Sequence, residues 1–421
     1  MNNSLAIKGA GILLGNGSVK NTDILIEDGV ISRIGKIGKR ADKIIDGKHE
    51  GLIAIPGLIN THAHIAMAPL KGMVDGTDLM DFLKTTSDFD ARNSKSMVYD
   101  SAIVGMAEMI RNGITDFVDF YYSEDVVAKA VDDLNYQGNL AWVVLDKDKT
   151  TQDGDPISNA ENFIKHNKVK SVKPMVAIQG VYAASKETME AAYEIAKKHG
   201  TKVTMHIAET EYEVKEHKKK HGLRPVEWMH KNGFVNKNLL AVHCVWLDKN
   251  EIAMISNAGA VSYNPTSNMK LGSGIAPITE MMDSGASITL GTDSVASNNS
   301  LDIISEMKYG SLLQAVRLGN PKAILPKQAF SFATYNAAQF LHHGKSYGLK
   351  EGAKADITLI KNGIGAGRSN AINALVYSSS PANIVGTIVN GKVLYYKGFA
   401  PKILEKVTTS LKRLEKRERS S

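Results

Sequence analysis

Eight short apolar or β-branched runs, each followed by sequence able to form a helix, constrain this chain more than any other feature. They read LIAIPGLINTHAH, ITDFVDFY, LAWVVLD, PMVAIQG, KVTMHIAE, LLAVHCV, AVSYNP and SITLGTDS. Between them lie helical stretches such as SKSMVYDSAIVGMAEMIRNG, SKETMEAAYEIAKKHG, ITEMMDSG and LDIISEMKYGSLLQAVRLG, several closed by a glycine suited to a C-cap. Eight strands, each with its following helix, are the count of a (β/α)8 barrel. The expected fold class is therefore α/β, with a TIM-type barrel over residues 56–345.

The flanks read differently. Residues 1–55 are short β-type runs broken by turn signals, among them the hairpin dipeptides Asn16-Gly17 and Asp28-Gly29. Similar text returns over 346–400, where Asn390-Gly391 separates two β-rich runs. The two ends are expected to share one small β-sandwich-like domain. Over 401–421, Ile403, Val407, Leu411 and Leu414 recur at helical spacing, which predicts a basic amphipathic helix docked by its apolar face, with the basic face solvated.

Of the formal charge of +7, more than half sits in that last segment, which carries seven Lys/Arg against three Glu. A positive excess gathered on one terminal helix argues against a nucleic-acid-binding chain. The single cysteine, Cys244, excludes an intrachain disulfide framework and any Cys-rich zinc site. The first residues show no basic segment followed by an apolar core, and no stretch reaches the length of a membrane span. A cytoplasmic protein without membrane or nucleic-acid partners is expected.

Barrel active sites form where the strands end, so polar residues at the C-terminal ends of the eight runs carry the functional signal. LINTHAHI offers His62 and His64, VTMHIAET offers His206 and Glu209, LAVHCV offers His243, and ITLGTDS offers Asp293. Residues two apart in a strand share a face, so His62 and His64 can aim at one point. With His206 and Asp293 from two other strands they make a three-His, one-carboxylate set, which suits one divalent metal, Zn²⁺ first and Fe²⁺ second. A lone HxH pair is weak evidence; four strand ends each carrying the needed residue type, in a chain of only 12 histidines, are strong evidence.

These motifs, together with HCVWL, NPTSNMKLGSGIAPI and LGTDSVASNNSLDI, resemble the amidohydrolase superfamily, its deaminase and triazine-hydrolase (chlorohydrolase) branch, and within it the 5-methylthioadenosine/S-adenosylhomocysteine deaminases. The resemblance covers nearly the whole chain. It implies that His62, His64, His206 and Asp293 are metal ligands, Glu209 the proton shuttle and His243 the residue that contacts the metal-bound water. A metal lowers the pKa of bound water from 15.7 to around 7. Asp293 can accept its proton, and Glu209 can protonate a ring nitrogen if burial keeps it partly protonated. One metal is implied, because the bridging lysine of binuclear relatives has no counterpart at the end of PMVAIQG.

For the substrate, the resemblance implies a small heterocycle hydrolysed at an exocyclic amino group, a methylthioadenosine- or adenosine-like nucleoside foremost. The alternatives are a triazine-like ring losing halide or alkylamine, and a guanine or pterin. Nucleoside-deaminase relatives have a histidine where this chain has Gln179, and carboxylate-binding arginines where it has Asn139, Trp142 and Val144, with lysines only at 147 and 149. Asp90 is the candidate ribose contact, Trp142 a candidate stacking partner, and Gln179 and Glu209 candidate ring contacts. The loop after His64 and the SNMKLGSG segment are expected at the barrel mouth. Relatives often pair, so a homodimer or higher homo-oligomer is also implied.

Overall fold

The chain was analysed as a computed structural model, which describes residues 4–15, 17–38, 41–77, 79–341, 346–361 and 370–419. Each of the eight expected runs supplies one barrel strand: β1 (Leu58–Ala63), β2 (Ile114–Tyr121), β3 (Gly138–Val144), β4 (Val172–Ile178), β5 (Val203–Ile207), β6 (Leu239–His243), β7 (Ala260–Tyr263) and β8 (Ile288–Leu290). Each pairs in parallel with the next in sequence. The ring closes where β1 meets the segment after β8, through a parallel bridge between Ala63 and Asp293.

Both faces of these strands are buried. Ile59, Val118, Phe120, Val143, Met175 and Leu240 fill the barrel. The alternate positions Phe117, Leu140, Val144, Val176 and Ile178 pack outward with the helices. Two-faced burial explains why the strands read as continuous apolar runs rather than alternating ones. The helices follow their sequence signals: Ser94 caps Lys95–Arg111, accepting from the Met97 amide, and Gly200 and Gly319 end Lys186–His199 and Ile303–Leu318 in the left-handed conformation.

LIAIPGLINTHAH is not one strand. It breaks at Gly57, whose amide donates to the Asp356 carbonyl at 2.9 Å and whose α-carbon lies so close to Thr115 that a side chain would not fit. Leu52–Pro56 pairs instead antiparallel with Ile357–Lys361. It belongs to an eight-stranded sheet with Ser4–Leu13, Val19–Glu27, Val30–Ile34 and Lys43–Asp46 from one end of the chain and Ile357–Lys361, Ile384–Val389 and Lys392–Tyr396 from the other. Leu5, Ile7, Ile24, Ile26, Ile357 and Ile388 form its separate core. Asp28-Gly29 and Asn390-Gly391 both take positive φ at both residues, as tight hairpin turns require. Asn16 of the other expected turn, and residues 342–345 at the expected end of the barrel segment, lie outside the described residues.

The C-terminal helix, Pro401–Glu418, buries Ile403 and Val407, whereas Leu411 is exposed. Its basic face is not wholly solvated. Arg413 and Arg417 reach the buried Asp100 at 3.4 and 3.1 Å, and Lys406 pairs with Asp133 at 3.1 Å. A buried carboxylate on Lys95–Arg111 needs cations, and the tail supplies them. Among the described residues no helix is long and apolar enough to cross a membrane. Replacing both Arg413 and Arg417 with Ala leaves Asp100 buried without a cation and is expected to lower unfolding free energy by about 1–3 kcal/mol, measured by denaturant titration; in an Asp100→Ala background the same pair of changes should cost much less.

Candidate active site

The strand-end residues named from sequence converge at the C-terminal mouth of the barrel. His62 and His64 each place Nε2 near one oxygen of Asp293, at 3.3 and 3.2 Å. His206 Nε2 lies 3.3 Å from His62 Nε2. The ring of His243 sits 5.3 Å from that of His206 and 5.7 Å from that of His62. Both triads His62–His64–His206 and His62–His243–Asp293 have ligand atoms within 4.8 Å of one another, close enough to share a cation.

Two of these residues, and the residue before Glu209, are held in turns that L-amino acids rarely adopt. Asp293, His243 and Ala208, the residue before Glu209, have φ of 64°, 71° and 47°. Left-handed backbone at non-glycine positions is held by its surroundings. At Ala208 the holder is Glu213, buried, which accepts the amides of both Ala208 and Glu209 at 2.9 Å and so aims the Glu209 side chain. At Asp293 the backbone amide donates to the His62 carbonyl at 2.9 Å, and Ser267 and Ser297 hydroxyls donate to Oδ2 at 2.5 and 3.3 Å.

The protonation pattern suits a cation site. The Phe120 carbonyl lies 2.6 Å from His64 Nδ1 and the Gln179 carbonyl 3.0 Å from His206 Nδ1. A carbonyl only accepts, so these Nδ1 atoms carry hydrogen, and in the neutral His206 ring the Nε2 lone pair points into the cluster. Burial pushes His62 down to about 4 and, aided by neighbouring imidazoles, holds His206 well below the usual histidine range. Burial opposes charge on His64 too, but the Asp293 hydrogen bond and charge outweigh it and raise its pKa. Burial would raise Asp293, yet the bonds from His62 and His64 hold it well below the usual carboxylate range. Two buried imidazoles held neutral beside an ionised carboxylate are the donor chemistry of a divalent cation, and the residues fit such an ion.

Glu209 stands at the edge of this cluster, its carboxylate 3.6 Å from His243 Nε2. Burial, helped by the Asp293 charge, pushes its pKa up to about 8, so at neutral pH it is an acid with a proton to give. Burial lowers His243 to about 4. The Asn268 amide nitrogen lies 3.1 Å from His243 Nδ1.

The profile of the amidohydrolase family matches residues 53–394. The chain belongs to the amidohydrolase family. It is 35% identical over 403 residues to a 5-methylthioadenosine/S-adenosylhomocysteine deaminase of Pyrococcus furiosus, covering 94% of this chain and 96% of that protein. It is equally identical over 420 residues to a 5'-deoxyadenosine deaminase of Methanothrix thermoacetophila, covering 97% of this chain and 99% of that protein. Among solved structures, an adenosine deaminase from Xanthomonas campestris with bound zinc superposes with a TM-score of 0.87 at 21% identity, covering 98% of both chains.

In this amidohydrolase the cluster opens into a cavity of 130 Å³ lined by His64, Asp90, Gln179, Tyr182, Glu209 and His243 among others. Asp90 and Gln179 both line this cavity. Burial raises Asp90 to about 6, and its carboxylate accepts from the Tyr121 hydroxyl. The loop after His64 contributes Met67, and the helix Leu79–Arg92 contributes Phe82 and Thr86; Leu271 comes from the SNMKLGSG segment.

Trp142 does not line this cavity. It lies on the outward face of β3 with Leu140 and Val144, tilts against Phe163 and donates to Gln152 at 2.8 Å; its neighbour Val143 faces the cavity instead. Strand parity decides this, and a strand buried on both faces gives no pattern from which to read it. Sequence reasoning missed Glu213, Tyr182 and Asp119. Buried Asp119 accepts the Ile65 amide at 2.9 Å and so fixes the turn after His64; its only signal was a charge inside the apolar run ITDFVDFY.

In the unfolded chain Glu209 ionises near the usual carboxyl value, whereas in the folded chain it keeps its proton to about 8. Its burial therefore costs stability increasingly as pH rises between those values. In metal-free protein, Glu209→Gln is expected to raise the melting temperature, by little at pH 5 and by more at pH 8.

Proposed function

We propose that this amidohydrolase is a metal-dependent aminohydrolase that removes the exocyclic amino group of a purine nucleoside with a small uncharged 5' group, of the 5'-deoxyadenosine or methylthioadenosine kind. The observation that carries the reading is Glu209: a half-buried carboxylic acid whose pKa is pushed up to about 8, set beside a His/Asp cluster fit for a cation. Relatives at 35% identity that bear deaminase names support it.

His62, His64, His206 and Asp293 would hold one divalent ion, zinc as first choice and Fe²⁺ as second. Such an ion lowers the pKa of a coordinated water to near 7 and so supplies a nucleophile at neutral pH. Asp293, ionised throughout the working range, accepts a proton from the attacking water at its carboxylate. Glu209 donates its proton to the ring nitrogen beside the reacting carbon, which makes that carbon electrophilic. The proton held by Asp293 passes to the amine, which leaves as ammonia, and the proton of the new hydroxyl restores Glu209 as the carbonyl forms. His243, close to both Glu209 and the ligand rings, stabilises charge on the incoming oxygen.

The 5' preference rests on the segment after β3. It offers lysines 147 and 149 and no arginine, and Lys149 is engaged with the Tyr182 carbonyl at 3.1 Å and Asp146 at 3.7 Å. An amino-acid tail such as that of S-adenosylhomocysteine finds no bidentate carboxylate partner there. A cytoplasmic location belongs to the same reading, supported by the nucleoside chemistry.

His206→Ala and Asp293→Asn are expected to lose bound metal and activity together. Glu209→Gln should keep the metal and lose kcat by about 10²–10⁴-fold, scored by metal analysis and ammonia release on the same samples; equal metal loss in all three would refute the separate role of Glu209. In the wild type, kcat/KM should fall on the alkaline side with an apparent pKa at or below 8, since a cation nearby favours the ionised acid.

A further inference from the structure

The reaction cavity is not the only space beside Glu209. A second cavity of 350 Å³ lies behind it, lined by Val181, Tyr182, Glu209, Tyr212, Glu216 and Lys220 among others. Tyr182 and Glu209 line both cavities. Tyr182, 43% exposed, thus stands at the border of the two, and its ring is held from two sides. The Gln179 amide donates to its hydroxyl at 3.0 Å. Gly180 leaves the space the ring occupies, since a Cβ there would stand 2.5 Å from Tyr182 Cε1.

Which edge of a purine meets this partition follows from the chemistry proposed above, on which this inference rests. The carbon that loses its amine, C6, faces the His/Asp cluster, and the adjacent N1 faces Glu209. The next atom round the ring is C2. Its outward bond therefore points past Glu209, away from the cluster and away from N9, the atom that carries the sugar. Of the residues that line the reaction cavity, Tyr182 is the one that also lines the second cavity with Glu209.

We propose that Tyr182 is the specificity-determining wall at the C2 edge of the bound purine, and that the cavity behind it is a preformed pocket for substituents on that carbon. With the wall in place, only hydrogen or a small atom fits at C2. With it removed, a substituent enters the larger cavity and lies along the face of the helix Glu211–His221 that carries Glu216 and Lys220.

The test compares ammonia release from 5'-deoxyadenosine and from its 2-fluoro, 2-chloro, 2-methylthio and 2-phenylamino derivatives. The wild type should show a size cut-off along this series. Tyr182→Ala, with Tyr182→Val as a second truncation, should raise the kcat/KM ratio of the 2-phenylamino compound to the parent at least ~10-fold, mainly through KM. Glu216→Trp, which fills the second cavity without touching the first, should leave wild-type turnover of the parent unchanged and erase the gain of Tyr182→Ala. An unchanged ratio in both truncations, or a wild type that turns over all five compounds alike, overturns the proposal while leaving the deaminase reading intact. If the truncated proteins do not fold, the wild-type size series alone decides. A metal-loaded wild type that releases no ammonia from any of these purines overturns the functional reading and this inference with it.

Discussion

The mouth of the barrel depends on the way Asp293 joins two strands. Its amide bonds to the carbonyl of His62 and its position bridges to Ala63, so it closes the ring of parallel strands. Its carboxylate meanwhile receives His62 and His64 and two serine hydroxyls. Closing the fold and assembling the site are one event. A left-handed residue of this kind costs about 1–2 kcal/mol, offset here by the hydrogen bonds that only this backbone setting permits. A shift of β8 against β1 would open the seam and scatter the donors together.

Burial governs the rest of the site. Taken out of water, imidazoles prefer to be neutral and carboxylic acids prefer to keep their proton. His62, His206 and His243 follow the first tendency and Glu209 the second. Asp293 and His64 resist, because each favours the charged form of the other. One environment thus yields neutral donors, a single fixed negative charge and a proton donor within a few ångströms of one another. The division of labour between Asp293 and Glu209 comes from their neighbours rather than from their chemistry as free side chains.

Much of this was legible in the sequence. The eight strands follow from apolar runs bounded by turn residues, and the HxH pair from the two-residue period of a strand. Family motifs added Glu209 and His243. Other features leave little trace in a single chain. The left-handed turns at Ala208, His243 and Asp293 involve ordinary residues rather than glycines. The direction of Trp142 depends on strand parity, which two-sided burial conceals. The division of LIAIPGLINTHAH between two sheets turns on a contact between Gly57 and Thr115, residues far apart in sequence. The inward pairing of Arg413 and Arg417 depends on Asp100, a partner some 300 positions away.

The sheet shared by both ends of the chain also sets an order of events. Leu52–Pro56 pairs with Ile357–Lys361, and among the described residues no nearer segment takes that edge. During synthesis the sheet strands between Ser4 and Pro56 therefore wait, with the edge of Leu52–Pro56 open, until the whole barrel has been made. Contacts so distant in sequence form late, and an open strand edge invites foreign pairing meanwhile. The helix Pro401–Glu418, bound to Lys95–Arg111, then acts as a clasp that fastens a late segment of the chain to an early one.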